Sequence, residues 1–440
     1  TAVTLACGAT QTGFGRTGTV NWDTTKITAD PGPAVSGRGY FTDTSGSAFN
    51  VTLPSSPSAG DIIAVADYAN NWGNNAVTIL RNGSNIEGSA SDFICNQTGA
   101  SITFVFVDAT KGWITVNSGN SSQAFGETFI SASGGTITEC GNDKIHTFTG
   151  PGTFTVTTAA NSAPNNIVSY LVVAGGGGGG NKRAGGGGAG GYRELKNPIN
   201  PFTASPLDGF PSAPNRITVT ATGFPITVGA GGVGGVSSGP ACNVGTASTD
   251  GSNSIFSTIT SAGGGTGGGI SPNAGPNGSG KPGGSGGGGF AGGTPIAPFP
   301  ASTAAGTGND PSTTPAQGNP GGISRTSPAP SGQAAGGGGA TEAGKAGNDP
   351  GGNDGKGGAG ATSEINGSPV ARAGGGGGGS RGPGVAAPGG TGGGGNGVPT
   401  GNGTSGTVNT GGGGGGMSDC NCASSGAGGS GVVIIRYKFQ

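Results

Sequence analysis

Residues 169–180 read SYLVVAGGGGGG, so a strongly apolar strand runs directly into six consecutive glycines. A second apolar run, GVVIIRY at residues 431–437, follows the last of the glycine-rich sequence. Both runs are rich in β-branched side chains and lack helical periodicity, which is typical of buried strands. We therefore predict that the two strands pair in one sheet and that residues 175–430 form a long insertion tied at both ends.

The inserted sequence is too poor in apolar side chains to form an ordinary hydrophobic core. Of the 440 residues in the chain, 107 are glycine and 29 are proline, and residues 301–430 contain no Leu, Phe, Trp or Tyr. Such a segment gains little free energy from apolar burial. Either it is disordered, or its order comes from hydrogen bonding and close packing between backbones.

The charge of the chain argues against several classes of protein. Charged residues make up 9% of the chain, and the formal net charge is -1. Intrinsic disorder usually accompanies a high net charge, and binding to nucleic acid or to a membrane surface needs clustered basic residues. A membrane span needs about 18 consecutive apolar residues, which no stretch approaches. We expect no nucleic-acid partner and no membrane insertion.

Composition shifts along the chain divide it into six segments. They are an extended N-terminal lead-in at 1–36, a small β module at 37–117, a linker at 118–124, a β-strand domain at 125–174, the glycine-rich region at 175–430 and a closing β-strand at 431–440.

Turn residues between short apolar runs predict hairpins. Asn82-Gly83 predicts a tight hairpin turn, because both residues tolerate positive φ, and Lys111-Gly112 predicts a turn between two further strands. Closer to the glycine tracts, residues 145–149 and 153–157 flank Gly150-Pro151-Gly152 and predict another hairpin.

The glycine tracts admit several kinds of order. Collagen requires glycine at every third position without exception, which excludes it. Stacked strands of the silk type are disfavoured because glycine loses the most backbone entropy and offers no side chain to a sheet face. Polyglycine II helices packed side by side remain, with a flexible linker as the alternative. The predicted fold class is all-β with a non-regular glycine-rich region: small β modules, then a polyglycine II helix bundle inserted between two β-strands.

Candidate chemical sites are few. Cys420 and Cys422 lack the second ligand pair of a structural zinc site, so we expect no metal. Residues 275–281 have the spacing of a phosphate-binding loop, but Pro282 follows and no strand precedes them, so we expect no cofactor. His146, the one histidine, lies in a Thr-rich strand without a nucleophile nearby and is expected to be a packed or exposed strand residue. We expect no enzyme activity.

The framing sequences resemble a known family. Residues 145–176, 184–193 and 429–437 resemble the glycine-rich domain of bacteriophage tail-fibre and adhesin proteins, and Cys7 to Val116 is similar to small β modules of marine phage tail fibres. The resemblance implies an extracellular virion protein, a tail fibre or tip adhesin, that attaches to the host cell. Its partners would be a host surface glycan or outer-membrane receptor and other virion tail proteins. Fibre shafts of this class are usually homotrimers, whereas some tip adhesins are monomers.

Two other functions remain open. The runner-up is a purely structural fibre or filament subunit, such as a head or neck fibre or an extracellular glycine-rich filament, without receptor binding. The third is a hydrolase of the host capsule, which would need two positioned carboxylates.

Aromatic and arginine side chains are the candidate receptor contacts, since exposed aromatics stack on sugars or fill pockets on a partner. In the glycine-rich region the candidates are Tyr192, Arg193, Phe290, Phe299, Arg372 and Arg381. Tyr68 and Trp72, in an Asn-rich loop, are a separate surface candidate. An alternative of equal weight makes Phe202, Phe210 and Phe224 the apolar contacts that hold the glycine region together.

Overall fold

The fold is described from a computed structural model. The described residues are 20–116, 128–238, 246–269, 278–291, 303–324, 332–347, 354–380, 386–418 and 423–440. The chain divides into two compact units, Thr1–Glu127 and Thr128–Gln440, and each is described by itself. The predicted linker at 118–124 lies outside the described residues.

The first unit is all-β in its described part. Its strands are β1 (Asn21–Ile27), β2 (Arg38–Thr42), β3 (Phe49–Thr52), β4 (Ile62–Asp67), β5 (Val77–Leu80), β6 (Phe93–Cys95), β7 (Ser101–Asp108) and β8 (Gly112–Thr115). They form a five-stranded sheet in the order β1-β2-β4-β7-β8 and a three-stranded sheet in the order β3-β5-β6. Both sheets contribute side chains to one hydrophobic core, in which Trp72, Phe93, Phe104 and Trp113 are fully buried.

The turn predictions for this unit had mixed outcomes. The hairpin at Lys111-Gly112 is confirmed, because this turn joins the paired strands β7 and β8. Asn82 and Gly83 do have positive φ, 45° and 95°, but they do not close a tight hairpin, since β5 pairs with a strand that begins only at Phe93. The predicted extended lead-in contains β1, which pairs in parallel with β2 and so belongs to the sheet.

The second unit is also all-β where it has regular structure. Its strands are β9 (Ser131–Ser133), β10 (Thr136–Cys140), β11 (Asp143–Phe148), β12 (Gly152–Thr158), β13 (Ser169–Val173), β14 (Tyr192–Leu195), β15 (Gly223–Thr227), β16 (Ser254–Phe256), β17 (Ile259–Ser261), β18 (Ala361–Ser363), β19 (Val370–Arg372) and β20 (Val432–Lys438). Two short 3-10 turns lie at Ala163–Asn166 and Ala213–Asn215.

The strands at the two ends of the glycine-rich region pair directly, as predicted. One sheet has the order β10-β11-β20-β13-β14, so the closing strand β20 lies between β11 and β13. The β13–β20 pairing is antiparallel and runs from Ser169 opposite Arg436 to Val173 opposite Val432. The long insertion is therefore tied at both ends to adjacent backbone positions of one sheet.

The predicted hairpin of residues 145–149 and 153–157 is wrong. β11 pairs with β10 and β20, whereas β12 belongs to a second sheet in the order β17-β16-β15-β12-β9. Phe148 and Phe154 lie in one apolar core to which both sheets contribute. The Gly150-Pro151 turn carries the chain from one sheet to the other, and this path buries both aromatic rings between the sheets.

A buried ion pair connects β20 to β11. Arg436 Nε donates to Asp143 Oδ2 at 2.7 Å, and both side chains are almost inaccessible to solvent. Asn200 donates to the other oxygen of Asp143, and the Arg436 guanidinium lies 4.9 Å from the centre of the Phe202 ring. A buried pair is weak evidence of added stability, but a shifted register would leave two buried charges without partners. The pair therefore favours this register of the closing strand.

His146 is packed against the same strand. Its Nδ1 donates to Gly134 O at 2.7 Å, because a carbonyl oxygen can only accept, and Tyr437 Oη then donates to Nε2 at 3.0 Å. The ring is fully buried and meets Phe154 edge-on. His146 is thus a core histidine of the sheet whose two ring nitrogens both have hydrogen-bond partners.

The glycine tract at 175–180 shows how the insertion is held. Its N–H groups donate to segments 249–252, 426–429 and 185–188 in turn, and this order repeats after three residues. The donor and acceptor residues are Gly175 to Ser252, Gly176 to Gly429, Gly177 to Gly188, Gly178 to Thr249, Gly179 to Gly426 and Gly180 to Gly185, with N···O distances of 2.8–3.1 Å. We call the set of segments bonded in this way the glycine array.

The carbonyl oxygens of the same tract bond to other segments. Those of Gly175 and Gly178 accept from Gly264 and Gly267, while that of Gly177 accepts from Gly414. One glycine tract therefore shares its backbone hydrogen bonds among many neighbours. Composition left open whether this region is disordered or ordered through its backbone, and the described tracts are ordered through their backbone.

The predicted polyglycine II helix bundle is wrong. The regular structure of the described residues is β-strand, and its helical elements are the two short 3-10 turns, neither of which lies in a glycine tract. The N–H groups of these tracts bond to other segments, and each tract divides its bonds among several of them. The all-β part of the predicted fold class is confirmed.

Close packing excludes side chains from the glycine array. A Cβ added at Gly177 would meet the carbonyl oxygen of Gly265, and one added at Gly187 would meet that of Gly177. These obstacles are backbone atoms held by hydrogen bonds, which cannot turn aside as a flexible side chain can. Glycine is required here for lack of space, since neither position has the positive φ that favours glycine.

Gly187→Ala is expected to destabilise the protein by about 2 kcal/mol or more, because the added methyl group must separate two bonded segments. Chemical denaturation measures the free energy of unfolding. The matched control is Gly150→Ala, where an added Cβ meets open space and the effect is expected to stay within about 1 kcal/mol. Equal stability of the two variants would contradict the close packing.

The second unit is expected to lose stability in mild acid through His146. Burial is the main cause that lowers its pKa below the ordinary 6.5, the Lys144 charge lowers the pKa further, and the bond to Gly134 O opposes both. The unfolded chain therefore takes up the proton more readily, so the stabilisation is complete above about pH 6.5 and is lost as the pH falls. Denaturation between about pH 7 and pH 5 measures this loss. His146→Gln should flatten the slope, and an unchanged slope in that variant would refute the assignment.

Candidate functional site: the far end of the glycine array

The glycine array has two ends. At the near end its segments meet the strands: Ala174 follows β13, Gly191 precedes β14 and Gly431 precedes β20. From Ala174 the first tract runs away from the sheet to a turn at 181–183, and segment 185–191 returns. We call the end that contains this turn the far end.

Hydrogen bonds place other segments at the same far end. Ala291 N donates to Arg183 O at 3.1 Å, Ala184 N donates to Met417 O at 3.2 Å, and Gly379 N donates to Ala184 O at 2.8 Å. Bridges join further residue pairs beside these contacts: Val236 with Ser424, Thr303 with Ser324, Ser324 with Gly347, and Gln333 with Ser380.

Segments that are distant in sequence reach the far end repeatedly. The hydrogen bonds and bridges given above connect residues of at least eight segments at this end, near positions 183, 236, 291, 303, 324, 347, 380 and 417. Binding surfaces are commonly built in this way, from many separate chain segments held by one rigid scaffold.

Two turns of the far end lie within the described residues. The turn at 181–183 places Lys182 and Arg183 in the left-handed region, with φ of 49° and 52°. The bend at 399–401 is held by Ser418, whose Oγ accepts from Gly401 N at 3.0 Å. Thr400 in this bend is exposed.

A small apolar cluster supports this end of the array. Met417, the one methionine of the chain, is fully buried with Ala184 and Ala423. The Met417 N–H donates to Ser425 Oγ at 2.8 Å, and that hydroxyl in turn donates to Gly180 O. The far end is thus fixed by packing as well as by backbone hydrogen bonds.

Within the described residues, no group of three or more His, Cys, Asp or Glu side chains is placed to hold a metal ion. Among the same residues, no helix has the length and apolar character to cross a membrane. His146 is buried in the sheet, away from solvent.

The surface placement of Tyr192 is wrong. Its side chain is buried, and its hydroxyl donates to Glu194 Oε2 at 2.9 Å, while the same carboxylate oxygen accepts from Ser205 N. Burial raises the pKa of Tyr192 well above its usual value. Alternation along β14 turns this ring into an apolar cluster on one face of the sheet, so it is not available to a receptor.

The other candidates in the glycine-rich region fare differently. Phe290 and Arg372 are also buried, so their surface placement is wrong, and burial lowers the pKa of Arg372. Arg193 is half-buried and donates to Asn215 Oδ1 at 2.8 Å. Phe299 and Arg381 lie outside the described residues.

The two candidates in the first unit differ in their exposure to solvent. Trp72 is fully buried, and its indole Nε1 donates to Thr42 Oγ1 at 2.8 Å, so its surface placement is wrong. Tyr68 is 56% exposed, as predicted. The loop thus turns its larger ring into the core and its smaller ring outward.

The alternative made Phe202, Phe210 and Phe224 the apolar contacts that hold the glycine region together. The three rings do pack internally, but against the cores of the sheets. Phe202 is buried in the same cluster as Tyr192, while Phe210 and Phe224 pack against the core between the two sheets. They hold the β frame rather than the glycine array itself.

The far end of the array was not predicted from the sequence. One signal could have found it: a tract that leaves a sheet and returns must turn at the opposite end. Alternate interruptions of the glycine tracts are therefore expected at the same end. Applied from Ala174 onwards, this rule would have selected the turn at 181–183.

Residues 147–438 match the family model of the glycine-rich domain, and this match covers more than half of the chain. No curated protein matches the chain with significance.

Met417→Ala is expected to lower the free energy of unfolding by about 2 kcal/mol, because it leaves a cavity in the apolar cluster that it forms with Ala184 and Ala423. Chemical denaturation checks the magnitude, and amide hydrogen exchange at Ala184 should rise. The control is Val408→Ala at the near end, where the side chain is 68% exposed and the effect should stay within about 0.5 kcal/mol. No difference between the variants would show that the cluster does not support the far end.

Proposed function

We propose that this chain, which belongs to the glycine-rich domain family, is a non-enzymatic attachment protein of the phage tail-fibre or tip-adhesin kind. In this proposal the far end of the glycine array faces the host cell and carries the receptor-binding surface. The observation that carries the proposal is that hydrogen bonds and bridges bring segments that are far apart in sequence together at one end of the array.

Rigidity of the array supports this role. Binding is weakened when flexible groups must be ordered, so a surface held in place before contact loses less free energy on association. Backbone hydrogen bonds fix residues at the far end to neighbouring segments, as between Ala291 and Arg183. Sequence at this end can then vary without loss of the scaffold that presents it.

Composition favours a glycan or a receptor protein as the partner. The net charge of -1 gives no electrostatic attraction to nucleic acid or to an anionic membrane. The sequences between the glycine tracts are rich in Ser, Thr, Asn and Pro, which supply hydroxyl and amide groups for hydrogen bonds to a sugar or a protein surface. We therefore propose a host surface glycan or an outer-membrane receptor as the ligand and other tail proteins as virion partners.

The experiment measures binding of the fluorescently labelled protein to washed cells of a panel of bacterial strains by flow cytometry. We expect saturable binding to some strains. Thr400→Arg, which places a long charged side chain on the described surface of the far end, is expected to reduce that binding severalfold. Val408→Arg places the same side chain at the near end and should leave binding unchanged.

Two outcomes would contradict the proposal. Saturable binding that Val408→Arg abolishes and Thr400→Arg does not would place the surface elsewhere than the far end. No saturable binding to any strain, together with filaments of the purified protein in electron micrographs, would favour a purely structural fibre subunit.

A further inference from the structure

Three parallel strands of the first unit end at the same edge of their sheet. β1 pairs in parallel with β2, and β2 pairs in parallel with β4. Ile27 lies opposite Thr42, and Thr42 lies opposite Asp67, so these positions mark the shared edge. The ends of β1, β2 and β4 all lie at this edge, and polar or aromatic side chains lie at or next to each of them.

Two of these side chains form an ion pair beside an aromatic ring. Lys26 Nζ lies 2.6 Å from Asp43 Oδ2 and sits over the Tyr68 ring, 5.0 Å from its centre. The other oxygen of Asp43 accepts from the backbone N–H and the hydroxyl of Ser45. The hydrogen bond from Lys26 is the main cause that holds the pKa of Asp43 at about 2, so the pair remains ionised.

The ion pair fixes Lys26 without using all its donors. An ammonium group has three N–H donors, and the side chain of Lys26 is 48% exposed whereas that of Asp43 is 8% exposed. The buried carboxylate of Asp43 compensates the charge of the Lys26 ammonium. The Lys26 ammonium therefore faces solvent as a hydrogen-bond donor whose charge Asp43 already compensates.

The loop that carries Tyr68 is held rigidly from within. The Asp67 carboxylate accepts from the backbone N–H groups of Asn71, Trp72 and Gly99 at 2.9–3.1 Å. Asn71 Nδ2 donates to Thr44 O at 2.9 Å, and the buried Trp72 anchors the base of the loop. These bonds fix the backbone on which Tyr68 and its neighbours are displayed.

The exposure of Tyr68 is unusual for this chain. The other described tyrosines, Tyr40, Tyr170, Tyr192 and Tyr437, are each at most 4% exposed. Close to Tyr68, Asn70 is exposed and has φ of 53°, a left-handed conformation that asparagine tolerates in tight turns. An exposed ring on a rigid loop, with amide and ammonium groups beside it, has the mixed apolar and polar character that suits a sugar.

We propose that Tyr68, Lys26 and Asn70 bind a neutral hexopyranose unit of a glycan. The apolar C–H face of the sugar packs on the part of the Tyr68 ring that Lys26 leaves exposed. Hydroxyl oxygens at the edge of the sugar accept from the Lys26 ammonium, and the Asn70 amide donates to and accepts from further hydroxyls. A neutral sugar fits better than an acidic one, because Asp43 already compensates the lysine charge. This site belongs to the first unit and does not rest on the proposed function.

Saturation-transfer difference NMR tests the site, with trisaccharides of glucose, galactose and mannose as probes and a uronic-acid trisaccharide as the acidic comparison. We expect transfer to the C–H protons of at least one neutral probe. Tyr68→Ala should weaken binding about tenfold, and Tyr68→Phe, which keeps the ring, should retain it. Asn70→Gly keeps the left-handed backbone without the amide and should also weaken binding.

The folding control is Val107→Ala, another exposed side chain of this unit, which should bind the probe as the wild type does. Absence of transfer to all three neutral probes would overturn the proposal, as would undiminished transfer in Tyr68→Ala. Transfer confined to the uronic-acid probe would overturn the neutral class of ligand.

Discussion

The second unit depends on hydrogen bonds between glycine backbones. Each such bond adds only about 1 kcal/mol to stability, and glycine loses more conformational entropy on folding than any other residue. Order is reached because the N–H groups of a tract such as 175–180 all find acceptors on neighbouring segments. This arrangement leaves no room for Cβ atoms at positions such as Gly177 and Gly187. The glycine content is thus a steric requirement of the array.

An array with so little apolar surface needs a frame that holds its segments together. Strand β20 supplies this by pairing with β13 on one side and β11 on the other. The apolar cores on the two faces of this sheet include Phe154 and Tyr170 on one face and Tyr192 on the other. The buried Arg436–Asp143 pair favours a single register of the closing strand. Hydrophobic burial therefore stabilises the frame of strands. It stabilises the glycine segments indirectly, because the frame fixes the two ends of the insertion that contains them.

The frame could be predicted from the sequence, whereas the array and the candidate site could not. Residues 169–173 and 432–438 are β-branched and uninterrupted, so their pairing followed from local pattern. Glycine tracts carry no side chains to specify neighbours, so the far end appears only once the path of the tracts is traced. Tyr192 and Trp72 are amphipathic, and their burial was decided by tertiary contacts. One of these is Thr42, which is 30 residues from Trp72 in sequence and accepts from its indole. Tyr68 lies outward because Asp67 organises the loop behind it.

The central position of β20 also sets the order of events during synthesis. Strands β11 and β13 leave the ribosome long before residues 432–438 are made, yet each finds one of its two neighbours in that segment. Pairing between such distant parts of a chain is intrinsically slow and exposes unpaired strand edges in the meantime. The frame therefore cannot be completed co-translationally until the closing strand emerges. Throughout that interval, one edge of β11 and one edge of β13 remain unpaired.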